Sequence, residues 1–209
     1  QGEKIEMTRQ AAGMAVRSLD DEDRVSVVLF DDEIETLVPC TRATARHRIA
    51  QLLNQVEVRG CTNLCDGWRT GAGQASLAAD QTRLTRVLVL TDGQTNRGET
   101  DLERICTMVR QQAEAGGQTT TLGFGSDYNE VLLRAMAASG DGNHFFVETP
   151  EELAEFFKLE LEGLATTQGT QVLLQLEPLM QDLQAWPLAG MQQTHEGALK
   201  LADLVAGCP

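Results

Sequence analysis

The sequence lacks any apolar run near the roughly 18 residues that a membrane-spanning helix needs. It is also poor in basic residues, since 17 Lys and Arg stand against 31 Asp and Glu and give a formal net charge of −14. This balance repels phosphate backbones and anionic lipid surfaces. It therefore argues against nucleic-acid binding and against a membrane-surface role, and it is compatible with a cation or a basic protein surface as partner. The missing apolar run argues against direct membrane insertion.

Paired cysteines are missing as well. The five cysteines are odd in number and scattered along the chain: Cys40, Cys61, Cys65, Cys106 and Cys208. Such a set is typical of free thiols in a reducing compartment rather than of a disulfide framework, which favours the cytoplasm. Cys61 and Cys65 flank Thr62, but no second Cys or His pair lies nearby in sequence to complete a soft-metal site.

Histidine is scarce, and the three residues present lie far apart: His47, His144 and His195. None belongs to a motif with a paired carboxylate, so the sequence offers no arrangement for acid–base or nucleophilic catalysis. We therefore expect a protein that is not an enzyme.

The chain does not begin with an initiator methionine, and we expect it to be part of a longer polypeptide. A signal upstream would leave a secreted or membrane-tethered location open. The 209 residues, 42% of them hydrophobic and 23% charged, have ordinary globular composition. Their number fits one sizeable domain with a short appendage.

Short apolar runs alternate with longer amphipathic ones, as in a parallel sheet covered by helices. A helix is predicted over 4–19, followed by a strand over 24–30 (RVSVVLF). The next apolar run, 34–38, follows so closely that the two strands can only be antiparallel. Further helices are predicted over 41–56 and 64–79, although three glycines weaken the second of these.

The second half repeats the alternation. Strands are predicted over 86–90, 119–124 and 144–147. Helices are predicted from the capping-box sequence at Thr100 to about 115, over 128–139 with Asp127 as cap, and from Thr149-Pro150 to about 164. A polar break near 166 divides the chain into a domain over 1–165 and a tail over 166–209. The tail is either an extension or the beginning of a second domain.

Two loops at the carboxyl ends of the predicted strands could carry a site. Gly60-Cys61-Thr62-Asn63-Leu64 precedes a helix, and Leu90-Thr91-Asp92-Gly93 leaves the most apolar strand. A hydroxyl and a carboxylate from adjacent loops suit a hard divalent cation, which prefers oxygen ligands. The alternative is that Thr62 only caps its helix and that Asp92-Gly93 is only a turn.

These segments, in their order, resemble the von Willebrand factor type A (VWA) family over about residues 1–165. The specific part is the pair GCTNL and LTDG, supported by GFGSDYNEVLLRAMAASGDGNHFF. The resemblance implies a Rossmann-like α/β fold with a mostly parallel sheet, one antiparallel edge strand and helices on both faces. It also implies a metal-ion-dependent adhesion site at the top of the sheet, where the partner completes the metal shell with an acidic side chain.

Carried over by motif, Thr62 is the Thr ligand and Asp92 is the third-loop Asp, acting through a water. The ion expected is Mg²⁺, with Mn²⁺ or Ca²⁺ as alternatives. The family's first strand and its Asp-x-Ser-x-Ser loop are not in this sequence, so the metal depends on a loop upstream of it. A weaker alternative places 172–176 in the position of that missing strand.

The sequence thus predicts a protein-binding module that uses a divalent metal. Two other classes stay open: an adaptor subunit of an ATP-driven chelatase or remodelling complex, and a degenerate, metal-free VWA scaffold.

Overall fold

The computed structural model describes residues 2–57, 62–79, 83–94, 97–125, 128–149, 152–153 and 155–156, and pieces of the tail at 167–169, 173–174, 192–193, 198–201 and 204–205. Contacts divide the chain into two compact units, Gln1–Leu159 and Glu160–Pro209. The predicted boundary at 166 stays a prediction, because 157–166 lie outside the described residues.

The first unit alternates strands and helices. Its strands are β1 (Arg24–Phe30), β2 (Ile34–Arg42), β3 (Thr85–Thr91), β4 (Gly117–Phe124) and β5 (His144–Val147). Its helices are α1 (Gly2–Arg17), α2 (Arg46–Leu53), α3 (Leu64–Ser76), α4 (Leu102–Glu114) and α5 (Glu130–Ser139). No helix within the described ranges is long and apolar enough to cross a membrane.

Strands β3, β4 and β5 form a parallel sheet in that order, and β1 pairs with β2 as an antiparallel hairpin. This confirms the predicted α/β fold with an antiparallel edge. Among the described residues, β1 pairs with β2 alone and β3 pairs with β4 alone. Helix α3 packs against both β1 and β3, so one helix covers two strands that are not hydrogen-bonded to each other.

The main core lies between β3 and three helices. Val87 and Val89 point from β3 towards residues of α3, α4 and α5, including Trp68, Ile105 and Met136. A second, smaller core joins α1, α2 and β2 through Val16, Val38, Ile49 and Leu53. The two apolar clusters account for helices that are amphipathic rather than apolar all round.

One predicted helix begins later than its periodicity indicates. Residues 41–42 continue β2, where Thr41 pairs with Val25 and Arg42 pairs with Arg24, and a 3-10 turn over Ala43–Ala45 precedes α2. The prediction of a helix from 41 to 56 was therefore wrong at both ends. Strand pairing satisfies the backbone groups of 41–42, and it outweighs a periodic pattern in the side chains.

Two helix caps also differ from prediction. Helix α4 is capped by Asp101, whose carboxylate accepts from the Arg104 N–H at 2.9 Å, and not by Thr100. Helix α5 is capped by Asn129, whose side chain accepts from the Leu132 N–H at 3.1 Å. The predicted cap, Asp127, lies outside the described residues.

The helix start predicted at Thr149 is confirmed, and it has the form of a capping box. The Glu152 N–H donates to the Thr149 hydroxyl at 3.3 Å, and the Thr149 N–H donates back to the Glu152 carboxylate at 3.3 Å. Phe156 on this helix meets Phe145 of β5 edge-on, with ring centroids 4.5 Å apart. Pro150 and most of the predicted run to 164 lie outside the described residues.

In the second unit, β7 (Leu173–Leu174) pairs with β9 (Leu199–Lys200), which also pairs with β8 (Gln192–Gln193). Strand β6 (Thr167–Gly169) pairs with β10 (Leu204–Val205). The alternative that 172–176 replaces a central strand of the first unit is therefore wrong for its described part, because Leu173 and Leu174 pair with Lys200 and Leu199.

Candidate metal site at the carboxyl edge of the sheet

The loop before α3 meets the loop after β3. A Cβ built on Gly93 would lie 3.0 Å from the Thr62 hydroxyl oxygen, so Thr62 lies against the backbone next to Asp92. Thr62 and Asp92 are both half-buried. The structure therefore brings together the two loops that carry the predicted metal ligands.

Asp92 follows the last residue of β3, and a hydrogen bond within the next loop determines how the chain turns there. Thr91, the last residue of β3, is buried, and its hydroxyl accepts from the Gly93 N–H at 3.3 Å. This side-chain turn bends the chain directly after the strand. The bend places Gly93, the residue after Asp92, against Thr62.

Asn63, and not Thr62, caps α3. Its side-chain oxygen accepts from the Asp66 N–H at 3.4 Å, and its amide donates to the Asp66 carboxylate at 2.9 Å. The alternative that Thr62 serves as the helix cap is therefore wrong. Asn63 was not predicted as the cap, although Asn directly before a predicted helix is a recognised cap signal.

The turn after β1 lies at the same edge. The Asn63 N–H donates to the Asp31 carbonyl at 3.2 Å, and Arg97 forms an ion pair with Asp32 at 2.7 Å. Strands β1 and β3 thus end beside one loop. The acidic side chains at this turn, Asp32, Glu33 and Glu35, are exposed.

The donors at this edge are oxygen atoms. Within the described part of the chain, no group of three or more His, Cys, Asp or Glu residues is arranged to hold a metal. Cys65 is buried in α3, and burial raises the pKa of its thiol, with the Asp66 charge adding to the effect. A protonated, buried thiol is a poor metal ligand, and Cys61 lies outside the described residues.

Trp68 and His47 lie away from this edge. Trp68 is buried in the core, and its indole N–H donates to the Thr119 hydroxyl at 3.0 Å. His47 is exposed on α2. Neither contributes to the edge that carries Thr62 and Asp92.

The fold is that of an α/β domain with a parallel sheet and helices on both faces. The sequence profile of the von Willebrand factor type A domain matches residues 1–159, and the chain belongs to that family. It is 26% identical over 176 residues to protein YfbK of Escherichia coli (strain K12), covering 84% of this chain and 31% of that protein. It is 30% identical over 185 residues to an inter-alpha-trypsin inhibitor heavy chain of Rattus norvegicus, covering 84% of this chain and 20% of that one.

Solved structures show the same fold. A von Willebrand factor type A protein from Catenulispora acidiphila superposes with a TM-score of 0.70 at 19% identity, covering 81% of this chain and 40% of that chain. Proximal thread matrix protein 1 from the mussel byssus, solved with a zinc-occupied MIDAS motif, superposes with a TM-score of 0.62 at 17% identity. The superposition covers 79% of this chain and 43% of that chain. The chain spans about a third or less of the curated relatives named above.

Proposed function

We propose that this domain is a non-enzymatic protein-binding module whose partner docks through a divalent metal held at the carboxyl edge of the sheet. The observation that carries the proposal is the contact between the Thr62 hydroxyl and the backbone beside Asp92. A hydroxyl and a carboxylate at one edge are the donor types that Mg²⁺ prefers, with Mn²⁺ or Ca²⁺ as alternatives. The family's metal-dependent adhesion site uses a Thr and an Asp at the matching motif positions.

Thr62 and Asp92 do not complete a metal shell, since Mg²⁺ demands six ligands in octahedral geometry and keeps several of them as water. We propose that the remaining protein ligands come from an Asp-x-Ser-x-Ser loop on a further strand. The interval between β1 and β3 suits such a strand, because α3 already covers both neighbours. Gly67 of α3 lies against Phe30 of β1, and Gly71 lies near Val87 of β3.

The exposure of the two neighbouring strands also supports this position. Strand β1 is the apolar run RVSVVLF, yet its six residues from Val25 to Phe30 are only half-buried. Leu88 and Leu90 of β3 are likewise half-buried, whereas Val87 and Val89 on the opposite face are buried. A strand between β1 and β3 would cover such faces and pair their backbone groups.

A partner carboxylate would then enter the open coordination position of the metal. With a net charge of −14 on the chain, a bare carboxylate would be repelled, and the metal charge offsets that repulsion. The zinc-occupied MIDAS motif of the mussel protein supports metal binding in a relative of this fold. The proposed partner is therefore a protein that offers an exposed Asp or Glu.

The test is a calorimetric titration of the intact, EDTA-stripped protein with Mg²⁺ and Mn²⁺. We expect saturable one-to-one binding that Asp92→Asn abolishes while the far-ultraviolet circular dichroism spectrum is unchanged. Glu114→Gln is the matched control, because it removes the same charge from an exposed position at the end of α4. An absence of binding up to millimolar metal would contradict the proposal and favour a metal-free scaffold.

A further inference from the structure

Asn63 connects three parts of the candidate site, although only its neighbour Thr62 is a proposed ligand. It is a buried polar residue, 8% exposed. Its backbone N–H donates to the Asp31 carbonyl after β1, and its side chain bonds both the backbone N–H and the carboxylate of Asp66 in α3. These bonds fix the side chain in one orientation, because each of its polar ends has a partner.

The same side chain lies on Gly98, in the connection between β3 and α4. Gly98 has a φ of +75°, and a Cβ built on it would lie 2.2 Å from the Asn63 side-chain oxygen. The position is therefore closed to any other residue on two grounds, the left-handed backbone and the lack of space. The amide of Asn63 rests directly on the Gly98 backbone.

This contact is one of three that hold the loop between β3 and α4 in place. Gly93 lies against the Thr62 hydroxyl, Gly98 lies against Asn63, and Arg97 between them pairs with Asp32. Asp92 belongs to this connection, and Thr62 is joined to Asn63 by a single peptide bond. The exposed ion pair adds little stability by itself, about 0–1 kcal/mol. In the Asn63–Gly98 contact the Asn63 side chain is buried, although Gly98 is exposed, and the approach is the closest of the three.

We propose that Asn63 and Gly98 are positioning residues that set the separation between the Thr62 hydroxyl and the Asp92 carboxylate. The inference rests on the proposed function, since it concerns the same metal. Its consequence is metal selectivity. Mg²⁺ requires near-ideal octahedral geometry with oxygens at about 2.0–2.1 Å, whereas Ca²⁺ accepts about 2.3–2.6 Å and irregular shells. A loosened separation therefore weakens Mg²⁺ binding more than Ca²⁺ binding.

The experiment compares Mg²⁺ and Ca²⁺ affinities of the intact protein by calorimetry. In Gly98→Ala the added methyl displaces Asn63, and we expect Mg²⁺ affinity to fall about tenfold or more, the usual effect of removing support behind a metal ligand. Ca²⁺ affinity should fall much less, so that the ratio of the two affinities changes. Gly116→Ala is the matched control, because Gly116 also has a positive φ, +91°, but has nothing within 4 Å of the added methyl.

A second variant covers the case in which Gly98→Ala fails to fold. Asn63→Ser keeps a hydroxyl that can cap α3, but it withdraws the amide from Gly98. It should shift the Mg²⁺ to Ca²⁺ ratio in the same direction. If wild type binds both metals and the variants keep its ratio, the positioning role is overturned while the metal site stands. If wild type binds neither metal, the proposed function fails and this inference fails with it.

Discussion

The indole N–H of Trp68 donates a 3.0 Å hydrogen bond to the hydroxyl of Thr119, and neither side chain is open to solvent. The bond joins α3 to β4. Nε1–H is the sole hydrogen-bonding group of an indole, so this one bond satisfies Trp68 completely. It also provides the Thr119 hydroxyl with a donor inside the core, where an unpaired polar group is costly.

We expect Thr119→Val to destabilise the domain by about 1–3 kcal/mol, because it leaves a buried N–H without an acceptor while keeping the shape of the side chain. Urea unfolding measures the change in free energy. The double variant Trp68→Phe/Thr119→Val should be less destabilised than the sum of the single variants, since neither polar group then remains unpaired. Strictly additive losses would mean that the bond contributes nothing.

Two glycines of α3 should respond in opposite directions to the same substitution. A Cβ on Gly67 would lie 2.5 Å from Cβ and Cγ of Phe30, whereas Gly73 has nothing within 4 Å. Gly73→Ala should stabilise the domain by about 0.5–1 kcal/mol through helix propensity. Gly67→Ala should destabilise it by about 1–3 kcal/mol through overpacking.

Urea unfolding of both variants tests this pair, with each acting as the control for the other. Stabilisation by Gly67→Ala would mean that Phe30 moves aside at no cost, and that α3 does not depend on close approach to β1. The pair also explains why glycines weakened the sequence prediction for α3. Gly67 is a packing requirement of the folded state rather than a sign that the helix ends.

Elements defined by one compact local signal could be predicted from the sequence. Strands 24–30 and 144–147 have the predicted bounds, because each is a short apolar run between polar turns. The helix start at Thr149 was also predicted from residue types, and Thr149 and Glu152 form a capping box there. The start of α2 could not be predicted in this way, because it depends on the pairing of Arg42 with Arg24 across the hairpin.

The residues of the candidate site likewise differ in whether a local sequence signal identifies them. Thr62 and Asp92 were identified because each stands in a recognisable motif at the end of a strand or before a helix. Gly98 was not identified, because its requirement for glycine arises from a positive φ and from close contact with Asn63, which is distant in sequence. Such a contact has no periodic signature, so only the fold reveals it.

Asp101 should contribute to stability as the cap of α4, whereas its neighbour Thr100 should not. Asp101 accepts from the Arg104 N–H, and a side-chain acceptor at a helix start is worth about 0.5–2 kcal/mol. We expect Asp101→Ala to lower the free energy of unfolding by that amount. Thr100→Ala is the control. If it lowered the free energy of unfolding equally, Thr100 would act as the cap, as the sequence predicted.

His144 lies in a directed chain of hydrogen bonds. The Thr121 hydroxyl donates to the Leu133 carbonyl at 3.0 Å, so it must accept from His144 Nδ1, 2.9 Å away. The other ring nitrogen, Nε2, is then the acceptor that faces the Tyr128 hydroxyl at 3.5 Å. This arrangement suits a neutral imidazole with its proton on Nδ1.

Burial lowers the pKa of His144 below its ordinary value, the Arg134 charge adds to that shift, and Glu130 opposes it. The unfolded chain therefore binds the proton more readily than the folded domain does. The neutral form of His144 therefore contributes to the stability of the folded domain. This contribution is complete above the unfolded pKa of about 6.5, and it is lost as the pH falls towards the lower pKa of the folded state. Thermal unfolding should occur at a lower temperature at about pH 5.5 than at about pH 7.5.

His144→Asn isolates that effect, because the Asn amide can donate to Thr121 in place of Nδ1 but does not titrate. We expect the variant to lose part of the pH dependence of its melting temperature, measured by calorimetry across the same range. His47→Asn, at an exposed position on α2, is the matched control for replacing a histidine by asparagine. An equal slope in wild type and His144→Asn would mean that His144 titrates alike in both states, and that other groups cause the acid sensitivity.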